Sequence, residues 1–256
     1  MITAGIDVGS ITTKAAVLAD GKILGTRIIF TGYNSEAAGG KVYEKLLEEL
    51  SLERSAVSRV ISTGYGRRSV KFVDKSMTEI ICHGTGAHYL NPRIRSVIDI
   101  GGQDSKVIVL DDKGKVKNFA MNDKCAAGTG RFLEVMARAL EVDLDGFGAL
   151  SLKAGNPSGI SSLCTVFAES EVISLISRGE RRENIIAGIH ESIAARIAAM
   201  ANRVGIIPPV VMTGGVAKNI GVVTALQKKL EMTVEVSEYA QVNGAIGGAV
   251  LAVGLK

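Results

Sequence analysis

Hydrophobic and polar positions alternate from the start of the chain, and Ile2–Val8 carries the two-residue period of a β-strand. A glycine turn and a second apolar strand follow, closing at the hairpin signal Ala19-Asp20-Gly21-Lys22. Helical spacing then marks residues 37–50, strand spacing Val57–Thr63, and helical spacing 77–90, up to the breaker Asn91-Pro92. Beyond it, residues 129–140, 166–177 and Arg182–Val204 read as helices. Pro208-Pro209 introduces a short buried strand at 210–212, then Gly214-Gly215 and a helix that runs through Leu230. Asn243–Val253, with glycine and alanine at close spacing, suits a helix packed tightly on another.

The chain also matches itself. Ile6-Asp7-Val8-Gly9-Ser10-Ile11-Thr12-Thr13-Lys14-Ala15-Ala16-Val17-Leu18 aligns with Ile98-Asp99-Ile100-Gly101-Gly102-Gln103-Asp104-Ser105-Lys106-Val107-Ile108-Val109-Leu110, an offset of 92 residues (7 to 99, 14 to 106). The second copy has its own hairpin signal, Asp111-Asp112-Lys113-Gly114. Two domains follow from this repeat: residues 1–92, with the C-terminal helix 243–256 packing back on them, and residues 93–242. In each copy a strand ends in aspartate and a turn rich in glycine and in hydroxyl or amide groups. Glycine lets backbone N–H groups approach a phosphate, and a carboxylate at the strand end suits a hydrated Mg²⁺. One such turn is an ordinary hairpin; two with aspartate at the same place suggest a pincer around a nucleotide.

Composition narrows the classes. The 256 residues are 46% hydrophobic, enough for a sizeable core, and hold 30 glycines and no tryptophan, as in α/β folds with tight phosphate turns. A net charge of +4 without a long basic tract gives no sign of a nucleic-acid partner. The longest apolar stretches are too short and too rich in glycine or proline to span a membrane, and no signal core opens the chain. A cytoplasmic protein is expected, in which Cys82, Cys125 and Cys164 are thiols or ligands rather than disulfide partners. No Walker A loop or dinucleotide fingerprint occurs in a strand–turn–helix context. Cys125 and Cys164 fit no compact cluster motif, and on residues alone read as structural cysteines.

Together these segments resemble the superfamily of actin, the 70-kDa chaperones and the sugar kinases, whose fold is two actin-like (ribonuclease H-like) α/β domains around a nucleotide cleft. The chain is most similar to the activator ATPases of 2-hydroxyacyl-CoA dehydratases, relatives of the ATPase subunits of benzoyl-CoA reductase. The specific parts are Gly5-Ile6-Asp7-Val8-Gly9-Ser10, Asp99-Ile100-Gly101-Gly102-Gln103-Asp104, Asn122-Asp123-Lys124-Cys125-Ala126-Ala127-Gly128-Thr129-Gly130 and Cys164-Thr165-Val166-Phe167-Ala168-Glu169-Ser170-Glu171.

The resemblance implies ATP and ADP binding by Gly9, Ser10, Thr12, Thr13 and Lys14 on one side. Gly101, Gly102, Gln103 and Asp104 stand on the other, with Gly214, Gly215 and Lys218 towards the adenosine and Gln241 as a further cofactor-binding residue. Asp7 and Asp99 would hold Mg²⁺ through water. Either Glu79 or Gln103 would place the attacking water, with a surface role equally open for Glu79; Lys14 and Lys106 either touch phosphates or flank strands. The resemblance also implies a homodimer bridged by one [4Fe-4S] cluster, with Cys125 and Cys164 as each chain's ligands. Three cysteines cannot supply the four thiolates of a cubane, whereas two from each of two chains can. Both cysteines shortly precede expected helices, whose positive ends favour thiolates; Cys82 reads as a small core residue, and His83 as packed in a helix. The implied partners are a dehydratase and a ferredoxin or flavodoxin donor. The rival readings are a benzoyl-CoA-reductase-type ATPase subunit and a small-molecule kinase without a cluster.

Overall fold

The computed structural model describes residues 1–161 and 164–255, so Lys256, the end of the expected C-terminal segment, lies outside it. Two five-stranded sheets are built on one plan. In the first, β1 (Ile2–Val8) pairs antiparallel with β2 (Thr12–Ala19), which pairs with β3 (Lys22–Phe30). On the other side of β1 lie the parallel β4 (Val57–Thr63) and the two-residue β5 (Lys75–Ser76). The second sheet repeats this with β6 (Ser96–Ile100), β7 (Ser105–Leu110), β8 (Val116–Asn122), β9 (Val210–Thr213) and β10 (Val234–Val236). The orders β3-β2-β1-β4-β5 and β8-β7-β6-β9-β10 correspond strand for strand.

The sequence repeat therefore marks only the first two strands of a five-strand repeat. The helices account for the rest of the length. A single helix, α1 (Ser35–Glu49), joins β3 to β4, capped by the Asn34 side chain, which accepts from the Ala37 N–H. At the same point of the second half lie α3 (Gly130–Ala139), α4 (Leu144–Ser151), α5 (Thr165–Ser177) and the long α6 (Arg182–Val204). Helix α4 has no counterpart in the spacing pattern, because Leu144–Ser151 holds two glycines in eight residues and shows no extended apolar face. A 3₁₀ turn at Gly215–Lys218 precedes α7 (Ile220–Leu230), so the helix starts later than the apolar spacing suggests.

The helices that follow each sheet are exchanged. Helix α2 (Glu79–Leu90) comes after β5 but buries Ile80 and Ala87 with Val97, Ile108 and Leu110 of the second sheet. Helix α8 (Asn243–Val253) comes after β10 but buries Ala245, Ile246 and Ala249 with Ala16 and Leu18 of the first. The two helices cross in direct contact: a Cβ on Gly247 would overlap the Cys82 carbonyl, and one on Gly86 the Asn243 carbonyl. Only glycine permits that approach. The Glu79 end of α2 and the Asn243 end of α8 are thereby held at the gap between the sheets.

Candidate functional site

That gap is a cleft of about 890 Å³, within the range of small-molecule sites. Both aspartate–glycine turns open into it. In the first, the Gly9 N–H donates to Thr12 O at 3.1 Å; in the second, Gly101 N–H donates to Asp104 O at 2.9 Å. The second turn is further anchored by α3, whose Gly130 and Arg131 N–H groups donate to Gly101 O and Gly102 O, both at 2.9 Å. Gly214, with φ of 87°, leads from β9 into the cleft, where a Cβ would overlap the Ile100 carbonyl.

The repeat places Asp7 opposite Lys14 and Asp99 opposite Lys106 as cross-strand neighbours. Lys14 Nζ lies 3.4 Å from Asp7 Oδ2. Lys106 Nζ lies 3.2 Å from Asp99 Oδ2 and also 2.8 Å from both Glu79 Oε2 and Asp104 Oδ2. On the far side of Asp99, Thr213 Oγ1 donates to Oδ1 at 2.7 Å, and His83 Nδ1 lies 3.2 Å from the same oxygen. Burial alone would raise the Asp99 carboxyl, but His83 and Lys106 outweigh it and hold it well below the usual carboxylate range. Burial also works against the Lys106 charge, yet Asp99, Glu79 and Asp104 prevail and keep that ammonium protonated above its ordinary value. Glu79 goes the other way: burial raises it, and Asp104 and Asp7 add to this against the pull of Lys106. Of the two carboxyls Glu79 and Asp99, both paired with Lys106, Glu79 is the readier to hold a proton.

Every residue expected on the nucleotide side lines the cleft except Thr13. Its side chain is fully buried, with Oγ1 2.8 Å from Thr31 Oγ1. The pleat explains this correction: Thr12 and Lys14 face the cleft and the residue between them points the other way. Gln241 lines the cleft, and its Oε1 is buried with no hydrogen-bond partner among the described residues. Arg67, Arg68 and Asn219, which no sequence signal singles out, also line the cleft, and so does His83, expected only to pack. His83 is packed in α2, yet it stands four residues after Glu79, on the same helix face, and that spacing could have revealed it.

The cysteines lie elsewhere. Cys82 is fully buried in α2, and burial pushes its thiol up to about 12. Cys125 is half-buried, in the turn five residues before α3, and its carbonyl accepts from Asn122 Nδ2 at 3.0 Å. Cys164 is exposed at the N-cap of α5, with no side-chain cap bond.

Two related sheets with exchanged helices, closing on a cleft with paired aspartates, define an ATPase of the actin and sugar-kinase type. A glucokinase of Streptomyces griseus shares that fold at 15% identity, with a TM-score of 0.60 over 100% of both chains. Residues 4–252 match the BadF/BadG/BcrA/BcrD ATPase family, and the chain belongs to it. It is 50% identical to the activator of lactoyl-CoA dehydratase from Anaerotignum propionicum, over 98% of this chain and 97% of that one. It is 36% identical to one of the subunits of the benzoyl-CoA reductase of Thauera aromatica, over 97% and 90%. Component A of the (R)-2-hydroxyglutaryl-CoA dehydratase of Acidaminococcus fermentans superposes with a TM-score of 0.95, at 46% identity over 99% and 98% of the chains. The activator of the 2-hydroxyisocaproyl-CoA dehydratase of Clostridium difficile, solved with bound ADPNP, superposes with 0.94, at 44% identity over 99% and 95%.

Proposed function

We propose that this protein is an ATP-driven electron-transfer activator of a 2-hydroxyacyl-CoA dehydratase, working in the cytoplasm as a homodimer. The observation that carries the reading is the cleft with its paired Asp–Lys turns, in a chain whose relatives at 44–50% identity are named as activators of 2-hydroxyacyl-CoA dehydratases. Its higher identity to the lactoyl-CoA dehydratase activator than to the benzoyl-CoA reductase chain favours a dehydratase partner over a reductase complex.

The residues fit the groups this activity needs. Asp7 and Asp99 present carboxylate oxygens from opposite walls, which suits Mg²⁺, an ion that keeps several waters and takes few protein ligands. The backbone turns at Gly9 and Gly101 cradle phosphates, and Gln241 and Gly214 face the nucleoside. Glu79, with its raised carboxyl, or Gln103 orients the attacking water. For an iron–sulfur cluster, Cys125 and Cys164 are the two thiols outside the core, while Cys82 is too buried and too weakly acidic to serve. Two ligands per chain require two chains for a [4Fe-4S] centre. Helix α5, capped by Cys164, leaves Val166, Phe167 and Ile173 exposed along its length, apolar side chains of the kind that contacts between subunits cover. When bound, such a cluster supplies one-electron chemistry, fed by a ferredoxin or flavodoxin. The chain's own part is to bind ATP and ADP differently, so that the two sheets and the exchanged helices between them change their relative angle.

Iron content tests this reading. Anaerobically prepared protein is expected to hold about four irons per dimer by the four-thiolate rule. Cys125→Ala and Cys164→Ala each remove two ligands from a symmetric dimer and lose the iron while still binding ATP; Cys82→Ala keeps it. Iron retained by either of the first two variants and lost from Cys82→Ala would refute the ligand assignment. Wild type without iron after anaerobic reconstitution would overturn the electron-transfer reading in favour of a kinase.

A further inference from the structure

Behind the wall of the cleft formed by α4 and α7, a buried histidine links three helices. His190 of α6 is 1% exposed, and burial pushes its ring down to about 4, so it is neutral at physiological pH. Its Nδ1 lies 3.0 Å from Ser151 Oγ at the end of α4, and its Nε2 lies 3.4 Å from Asn219 Nδ2 at the N-cap of α7. The direction of every bond can be read. Asn219 Oδ1 accepts from the Val222 N–H at 3.1 Å, which fixes that amide and leaves Nδ2 as a donor. His190 Nε2 is therefore the acceptor and Nδ1 carries the proton, donated to Ser151 Oγ. The Ser151 hydroxyl passes its own hydrogen to Gly148 O at 2.7 Å.

Glycines let the helices close on this chain of bonds. A Cβ on Gly221, in the first turn of α7, would overlap Ser151 Oγ and the His190 ring; one on Gly148 would stand 2.6 Å from Asn219 Oδ1. In front of the relay, Leu144 of α4 and Ile220 of α7 are 41% and 49% exposed, and both line the cleft. Both helices thus put an open apolar side chain into the cleft lining, and Gly148 and Ala149 of α4 line it beside them, an apolar stretch of wall of the kind a base can lie against.

We propose that Ser151, His190 and Asn219 form a positioning relay that sets the spacing of α4 and α7, and with it the fit of a purine base against Leu144 and Ile220. The proposal rests on the nucleotide reading of the cleft and adds to it which wall the base lies against. His190 does not touch the nucleotide; it acts through α4 and α7.

The test compares full-length wild type, Ser151→Ala, His190→Asn and His190→Gln, with ADP and GDP binding, the KM and kcat of ATP hydrolysis, and the thermal midpoint all measured. Loss of one buried hydrogen bond is expected to weaken ADP binding and raise KM for ATP by about three- to tenfold. GDP binding weakens in parallel with ADP, since Leu144 and Ile220 offer only apolar contact to either purine, while kcat stays within about twofold of wild type. His190→Gln, whose amide oxygen still reaches the Asn219 donor, binds ADP more tightly than His190→Asn. Unchanged ADP affinity in both Ser151→Ala and His190→Asn, with only the midpoint lowered, would reduce the relay to a structural bond and overturn the proposal. A fall in kcat at constant KM would overturn it as well. Wild type that fails to bind ADP would instead bring down the nucleotide reading itself.

Discussion

The two Asp–Lys pairs of the cleft come from the same sequence pattern and occupy the same strand register, yet they are different chemical objects. Asp7 and Lys14 form a pair near the cleft surface, with side chains 7% and 13% exposed. Asp99 and Lys106, at 3% and 1%, are enclosed by Glu79, Asp104, Thr213 and His83. The added groups come from the exchanged helix α2, from β9 and from the second turn itself. A repeat in sequence thus fixes the partner across the strand, and the helix laid over it sets the charge environment.

The largest expected contrast is in stability. Lys106→Met leaves Asp99, Glu79 and Asp104 around a missing cation and is expected to cost about 3–5 kcal/mol, the usual result of removing one partner from a buried pair. Lys14→Met, at a pair with access to solvent, is expected to cost about 1 kcal/mol. Urea midpoints of the two variants measure the difference, and equal losses would erase the distinction between the pairs.

Hydrolysis is expected to treat the pairs alike. Asp7→Asn and Asp99→Asn should each cut Mg²⁺-dependent ATP turnover by at least about tenfold, roughly 1.4 kcal/mol of barrier, because both carboxylates face the same cleft. Initial rates at saturating Mg²⁺ decide this. Unchanged turnover in both variants would remove the aspartates from the mechanism; loss in one alone would show that the pincer works from one side.

The smallest effect is a pH signature belonging to the second pair. Glu79 has its carboxyl raised in the folded chain above the ordinary value of 4.5. Between that value and its raised one the folded state holds the extra proton, so its contribution to stability is present below 4.5 and lost as pH rises through the raised value. Replacing it in Glu79→Gln removes that loss, and the variant gains on wild type in urea midpoint as pH rises from 4.5. A constant difference between the two across that range would mean that Glu79 does not feel its buried neighbours.

Some of the site is legible in the order of residues alone. The aspartates, the two glycine turns and Gly214-Gly215 follow from local spacing, and Arg182–Val204 and Asn243–Val253 appear as helices with the bounds that their apolar and small residues imply. Thr13 falls on the wrong side when a run of turn residues is taken as a unit, without asking which face of the pleat each occupies. Lys106 reads locally as a neighbour of phosphates or a strand flank; its three carboxylate partners lie at positions 79, 99 and 104, on a helix, a strand and a turn. Arg67 and Arg68 carry no local motif at all, and the one that Asn219 carries is that of a helix cap.

What the sequence determined by itself is whatever depends on near neighbours: strand period, glycine turns, helix runs and the register of a hairpin, since these are set by steric and hydrogen-bond preferences within a few residues. Tertiary structure decided the exchange of α2 and α8 between sheets, and with it the enclosure of Asp99 and Lys106. It also joined Ser151, His190 and Asn219 into one chain of hydrogen bonds. Those contacts link residues far apart in the sequence, and they arise from burying apolar helix faces, a driving force that has magnitude but no direction along the chain.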